Sequence, residues 1–329
     1  MHDLYKNLIL RGTRFLSVFL LVFLNIMSST TAAQAEKKGD DFKPRVALAM
    51  GGGGTRGVAH IGVLRVLERE GIHIDCISGT SIGAIIGGLY SAGVPLNEIE
   101  KIFLSKSILR HFETVPISVR VALVPFFFVP HLLGYHPYDG LYRGGIFAKF
   151  LSNLAPPDKR NLEDLKHPVF WAVASNLLNG RPYVIKDGNI GRALQASSAI
   201  PGLRRPVEIG DTLLVDGGIL ENLPVTEARN MDCDIVIAID IDQAIPDLPK
   251  KAFRKIGSVS WRAVNMDLRA IDQPQVKLAD LVISPDLGNI SLLSHSKVDA
   301  LEAIRAGEAA AERAIPAIKA QLQLMRGSK

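Results

Sequence analysis

Apolar residues follow two rhythms along this chain, and the rhythms alternate. Residues 45–50 form a nearly unbroken apolar run of strand length, and residues 74–78 form another. Between them Ile61, Val63, Leu64, Val66 and Leu67 recur at helical spacing over residues 58–70, and Gly71 stops that helix. A helix dense in small residues is predicted over 82–91, ended by Gly93-Val94-Pro95. Strand, helix, strand, helix at this spacing means parallel pairing with right-handed crossovers. Strand patterns return at 169–174, 183–185, 212–215, 235–241 and 281–283. Helical patterns lie at about 145–153, 190–197, 223–230 and 298–325, the last interrupted by Pro316, where a kink is expected. No internal repeat and no long linker divides the chain, so one α/β domain over residues 45–329 is the economical expectation.

Two segments break the pattern. Residues 114–137 are rich in apolar side chains, including Phe126-Phe127-Phe128, but Pro116, Pro125, Pro130 and Pro137 prevent one long helix. This stretch is either an insertion packed on the core or an apolar lid able to touch a membrane. The first 35 residues carry a basic lead (Lys6, Arg11, Arg14), an apolar stretch at 15–27, and Ala33-Gln34-Ala35. That is the layout of a secretory signal with a small-residue cleavage site, and its core is short for a membrane span. Export to a periplasmic or extracellular space is expected, with residues 36–44 as a flexible leader. An uncleaved membrane anchor is the rival reading.

Charge and cysteine content narrow the classes. The formal net charge is +5; residues 1–35 hold three basic residues and one acid, so the rest carries about +3. That is too mild to argue for nucleic acid, though compatible with contact to an anionic lipid surface. Cys76 and Cys233 are the only cysteines. Both sit in or beside apolar runs, as free thiols behaving as small hydrophobes or as a pair that an exported protein could oxidise. No Cys or His spacing suggests a metal site, and no cofactor is expected.

Chemistry is concentrated where strands end. Gly79-Thr80-Ser81-Ile82-Gly83 stands between a strand and a helix, the setting of a nucleophile elbow. Ser81 is the candidate nucleophile, with Gly79 and Gly83 allowing the tight turn; by itself Ser81 could equally be a helix N-cap. One helix earlier, Gly51-Gly52-Gly53-Gly54-Thr55-Arg56-Gly57 follows the first strand, and its N–H groups could form an anion nest. A dinucleotide site would need an acid at the end of the second strand, whereas Asp75 precedes that strand. A Walker loop fails because Val58 stands where Lys is required. The loop therefore reads as an oxyanion hole built from Gly52, Gly53 and Gly54, with Ile82 N–H as a further donor. Downstream, Asp216-Gly217-Gly218 ends a strand and offers a carboxylate base. Only His295 follows Asp216 as a possible third triad member, in a polar Ser-rich stretch, so a Ser–Asp dyad is favoured. Arg56 either faces a lipid phosphate or tethers the loop.

These residues resemble the patatin-like phospholipase family, particularly its bacterial members. The glycine-rich block with Arg56 and Gly57, the elbow at Gly79, Ser81 and Gly83, and Asp216-Gly217-Gly218 followed by Asn222-Leu223-Pro224 match its motifs in order. Ala196-Ser197-Ser198-Ala199-Ile200-Pro201-Gly202 resembles a further segment of the family. Gln195, where an Arg often stands, and Leu203-Arg204, in place of a more aromatic segment, are departures. The resemblance implies a three-layer α/β/α fold with a mainly parallel sheet. It also implies a Ser81–Asp216 dyad that hydrolyses acyl esters of phospholipids or lysophospholipids without a metal. An acyltransferase and a non-catalytic lipid-binding protein of the same fold are the alternatives.

Overall fold

The computed structural model describes residues 42–105, 107–114, 138–242, 245–255, 257–288, 290–292 and 294–327. The expected signal segment, most of the expected leader and residues 115–137, with the Phe126-Phe127-Phe128 run, lie outside the described residues. The chain divides into two compact units. The larger, Arg45–Lys319, holds everything that follows; the smaller takes in Met1–Pro44 and Ala320–Lys329, described only at 42–44 and in the last turns of the C-terminal helix.

The alternation read from the sequence appears as β1 (Val46–Met50), α1 (Ala59–Arg69), β2 (Cys76–Thr80) and α2 (Ile82–Ser91). Two helices absent from the sequence pattern follow, α3 (Leu96–Leu104) and α4 (Ser107–Phe112). Then come α5 (Gly145–Leu154), β3 (Val169–Asn176), β4 (Arg181–Ile185), α6 (Ile190–Ser197), β5 (Val207–Ile209), β6 (Thr212–Asp216) and α7 (Val225–Arg229). The chain closes with β7 (Ile235–Ile239), α8 (Ser258–Val276), β8 (Leu281–Ile283) and α9 (Lys297–Gly327). Helix α9 continues through Pro316. β2 begins two residues later than apolarity alone predicts. Its ladder partners on β1 and β3, which reach Gly79 and Thr80, set its limits instead.

Among the described residues the strands form one sheet in the order β5-β6-β3-β2-β1-β7-β8, with β4 also on β3. β3, β2, β1, β7 and β8 run parallel. β4, β5 and β6 are antiparallel additions at one side. β3 places the chemistry. It pairs with β4 through residues 172–176 on one edge, so its partners β2 (at 169–173) and β6 (at 174–176) must share the other. The two strands meet head to head there: Thr80 lies opposite Val173 and Asp216 opposite Ala174. Ser81 and Asp216 are 135 residues apart in sequence, yet this register brings them together.

Helices cover both faces, which makes the three layers. Side-chain alternation sends Ala47 and Ala49 toward Leu223, Val225, Ala228 and Met231 around α7. The other face carries Met50 and Ile77. Helix α2 lies so close to it that a Cβ on Gly87 would come within 2.8 Å of Ile77 Cγ2. Helix α9 seats on α1 through paired glycines. A Cβ on Gly62 would fall 2.0 Å from the Ile304 carbonyl oxygen, and one on Gly307 2.1 Å from that of Ala59. Arg65 joins the same two helices through Glu308 at 2.6 Å. Cys76 and Cys233 are free thiols.

Candidate active site

Ser81 stands immediately before α2 with φ +52° and ψ −117°. A non-glycine residue there carries backbone strain on the order of 1–3 kcal/mol. The turn is held by its surroundings. The Ser81 N–H donates to Ser197 Oγ at 2.9 Å, and that hydroxyl donates to the Val173 carbonyl at 2.6 Å. Gly83 lets α2 start against β1, since a Cβ there would meet the Met50 carbonyl oxygen at 2.2 Å. The Ser81 side chain does not cap the helix. Its Oγ donates to Asp216 Oδ2 at 2.8 Å, so the N-cap reading of this serine is replaced by a serine–carboxylate pair.

Asp216 is 6% exposed. Its other oxygen, Oδ1, accepts from Gly218 N–H at 2.9 Å. Burial pushes its carboxyl up to about 6, against the lowering effect of the bonds from Gly218 and Ser81. A carboxylate more basic than usual, bonded to a serine hydroxyl, is the arrangement a general base needs. Gly217 allows the approach: a Cβ there would lie 2.5 Å from the Val173 carbonyl oxygen.

The glycine loop lies against the serine, with a Cβ on Gly52 falling 3.1 Å from Ser81 Cβ. One expectation is corrected here. The Gly52 N–H is spent on the Asn222 carbonyl at 3.1 Å, so it does not face an oxyanion. Gly53 and Gly54 stand at the head of a 3-10 turn, Gly54–Val58, and Ile82 is the first residue of α2. N–H groups at such starts have no intrahelical acceptor. The two starts are locked together at Gly57, where a Cβ would meet Ile82 Cγ2 at 2.1 Å. Arg56 is also redefined. It is 6% exposed, and its guanidinium donates to the Ile290 carbonyl and to Asn265 Oδ1, both at 2.8 Å. It tethers the loop and does not point at a lipid phosphate.

Support for the loop comes from His60 and Asp272, which no sequence motif singled out, and from Asn222 of the Asn222-Leu223-Pro224 segment. His60 is fully buried, and its Nε2 donates to the Gly51 carbonyl at 2.8 Å; burial lowers its pKa to about 4, so the ring is neutral. Asn222 Nδ2 donates to Asp272 Oδ2 at 2.7 Å, and Asp272 Oδ1 accepts from Leu223 N–H at 2.8 Å. Burial drives the Asp272 carboxyl up to about 7. Asp240, Asp242 and Asp272 bring carboxylate oxygens within 4.8 Å of one another. Both oxygens of Asp272 are bonded as above, and Asp240 takes Arg269 and the Asp242 N–H.

From Ser81 a cleft opens to solvent, walled by Ile82, Ile85, Phe103, Ile108, Phe112 and Phe147. The unexpected Arg204 stiffens this wall. It is 1% exposed, with its guanidinium 4.1 Å from the Phe112 ring centre and 4.5 Å from that of Phe147. Burial lowers its pKa to about 10, still charged at neutral pH. His295 lies at the rim, half-exposed, with Nε2 3.7 Å from Glu113 Oε1. The Ser81 hydroxyl is bonded to Asp216 instead.

A family model described as patatin-like phospholipase matches residues 48–229, more than half of the chain. The chain belongs to the patatin-like phospholipase family. Over 202 residues it is 35% identical to an uncharacterized NTE family protein of Mycobacterium bovis, covering 60% of this chain and 49% of that protein. Lysophospholipase NTE1 of Pyricularia oryzae is 32% identical over 229 residues, covering 67% of this chain and 13% of that protein. The chain thus spans about half the length of the first relative and a small part of the second. Among solved structures, VipD from Legionella pneumophila aligns over 84% of this chain and 67% of its own, with a TM-score of 0.47 and 16% identity.

Proposed function

We propose that this member of the patatin-like family is a serine hydrolase of lipid carboxylic esters, acting on phospholipids or lysophospholipids. The observation that carries the proposal is the 2.8 Å bond from a strained Ser81 to a buried, basic Asp216 at the head of an apolar cleft. The relative named as a lysophospholipase supports the lipid class.

In this mechanism Ser81 Oγ attacks the ester carbonyl while Asp216 takes its proton. Negative charge on the carbonyl oxygen meets N–H groups of Gly53, Gly54 and Ile82, where two helix starts add their dipoles. Collapse expels the alcohol, which takes the proton back from Asp216 and leaves an acyl-serine. A water then gives its proton to Asp216, attacks the acyl carbonyl and releases the fatty acid, restoring Ser81. The apolar cleft holds the acyl chain and excludes water from it.

The test is hydrolysis by the purified protein and its Ser81→Ala variant across a panel of phospholipids, lysophospholipids and short esters, with fatty-acid release measured. Loss of release in a folded Ser81→Ala protein is expected, and equal release by both proteins would refute the assignment. Adding an acceptor alcohol separates hydrolysis from acyl transfer: a dominant new ester product would make the protein a transferase. We further propose export, with cleavage after Ala35. N-terminal sequencing of the native protein should begin at Glu36, and a start at Met1 would reject it.

A further inference from the structure

Two consecutive buried residues, Glu221 and Asn222, hold the three parts of the site against one another. The hydroxyl of Thr80, the residue before Ser81, donates to the Glu221 carbonyl at 2.9 Å. The Glu221 N–H donates to the carbonyl of Gly217, the residue after Asp216, at 2.8 Å. Asn222 takes the glycine loop: its carbonyl accepts the Gly52 N–H at 3.1 Å, and its Nδ2 donates to the Gly52 carbonyl at 3.3 Å. The strand end with the nucleophile, the turn with the base and the oxyanion loop therefore share one corner. A shift of this corner would move all three at once, so whatever anchors its side chains matters to the reaction.

Asn222 is anchored by Asp272. Glu221 is anchored by a second carboxyl. Its side chain is buried, 5% exposed, and within hydrogen-bond reach lies the carboxyl of Glu227 on α7, itself 7% exposed. Among the described residues neither Glu221 Oε1 nor Glu227 Oε2 has a hydrogen-bond donor. Two buried carboxyls in such contact cannot both ionise. One proton held between them satisfies both oxygens, since a carboxylic acid donates and a carboxylate accepts. Burial, then Glu227, then Asp272 on α8 push the Glu221 carboxyl up to about 9, against the Thr226 hydroxyl, which favours its ionised form. At neutral pH the pair keeps its proton. Neither residue walls the cleft, so the acyl-transfer steps leave that proton in place.

We propose that Glu221 is a positioning residue for the Ser81–Asp216 dyad, and that the proton it shares with Glu227 pins the corner holding nucleophile, base and oxyanion loop in register. Loss of the proton sets two negative charges against each other in the interior, and the corner gives way. The proposal rests on the serine-hydrolase reading of the dyad, but not on the lipid class of the substrate.

A fluorophosphonate probe reads the dyad without lipid turnover: Ser81 Oγ bonds to phosphorus, Asp216 takes the hydroxyl proton and fluoride leaves. On the full chain, the rate of Ser81 labelling should fall about tenfold or more as pH rises through about 9. Glu221→Gln supplies Glu227 with an amide donor that does not titrate. It should label within about threefold of the wild-type rate at pH 8 and show no fall up to pH 10. Glu227→Gln should remove the alkaline fall in the same way. Glu221→Ala leaves the Glu227 carboxyl buried without its partner. It should lower kcat on a short soluble ester about 10- to 100-fold with KM little changed. If Glu221→Ala does not fold, the Glu221→Gln profile decides by itself. A flat wild-type profile to pH 10, the same alkaline fall in Glu221→Gln, or wild-type labelling by Glu221→Ala would overturn the proposal. A wild type that the probe does not label would refute the dyad and the proposal together. One that is labelled but frees no fatty acid from any lipid would reject the lipid-hydrolase reading alone.

Discussion

Asp216→Asn separates activity from stability in opposite directions. The asparagine keeps Oδ1 for the Gly218 N–H but turns an NH₂ toward Ser81 Oγ, so the hydroxyl loses its proton acceptor. Loss of a positioned general base costs about 10²- to 10⁴-fold in rate, and kcat/KM should fall within or beyond that range. Stability should rise instead. Burial has raised the carboxyl from the ordinary 3.8 to about 6, a penalty on the ionised form of about 3 kcal/mol. Because the folded value lies above the unfolded one, the contribution of this group to stability is full below about pH 4 and lost as pH rises through 6. The neutral asparagine avoids that loss. At pH 8 the variant should melt roughly 6 °C or more above the wild type, and near pH 4 the two should coincide. Calorimetry at both pH values, with fatty-acid release assayed in parallel, checks the two halves. The wild-type kcat/KM should itself decline on acidification with a midpoint near 6, as Asp216 takes a proton. A variant that is inactive but less stable at pH 8 would show that Asp216 stabilises the fold as an anion, and the reasoning from burial would be wrong.

Three further outcomes follow from the geometry. Ser197→Ala removes the acceptor of the Ser81 N–H and should lower kcat about 10- to 100-fold with little change in KM, while Ser197→Thr restores most of it. Gly83→Ala places a methyl 2.2 Å from the Met50 carbonyl and should destabilise by more than about 3 kcal/mol, read from denaturant unfolding. His295→Ala should keep activity within about threefold, since the Ser81 proton acceptor is Asp216; a folded but inactive His295→Ala protein would restore a triad.

The sequence by itself determined the alternation of strands and helices and the points where chemistry could sit. Periodicity of apolar residues is local, and so is a glycine pattern that only a tight turn or close approach tolerates. Both therefore survive without the fold, as α1, α2 and the elbow show. It could not set strand ends that depend on ladder partners, which is why β2 starts at Cys76 and runs into Thr80. It gave no sign of α8, which buries only Asp272 and so lacks the usual periodic apolar inner face. Nor could it tell which loop N–H groups are spent. Gly52 and Gly53 look alike in sequence, and only the Asn222 carbonyl separates them. The motifs named Ser81 and Asp216 as partners, but what brings them into contact belongs to tertiary structure. A strand end carries no label of its partner; it is β3, offering one edge to two strands running in opposite directions, that sets the hydroxyl against the carboxylate.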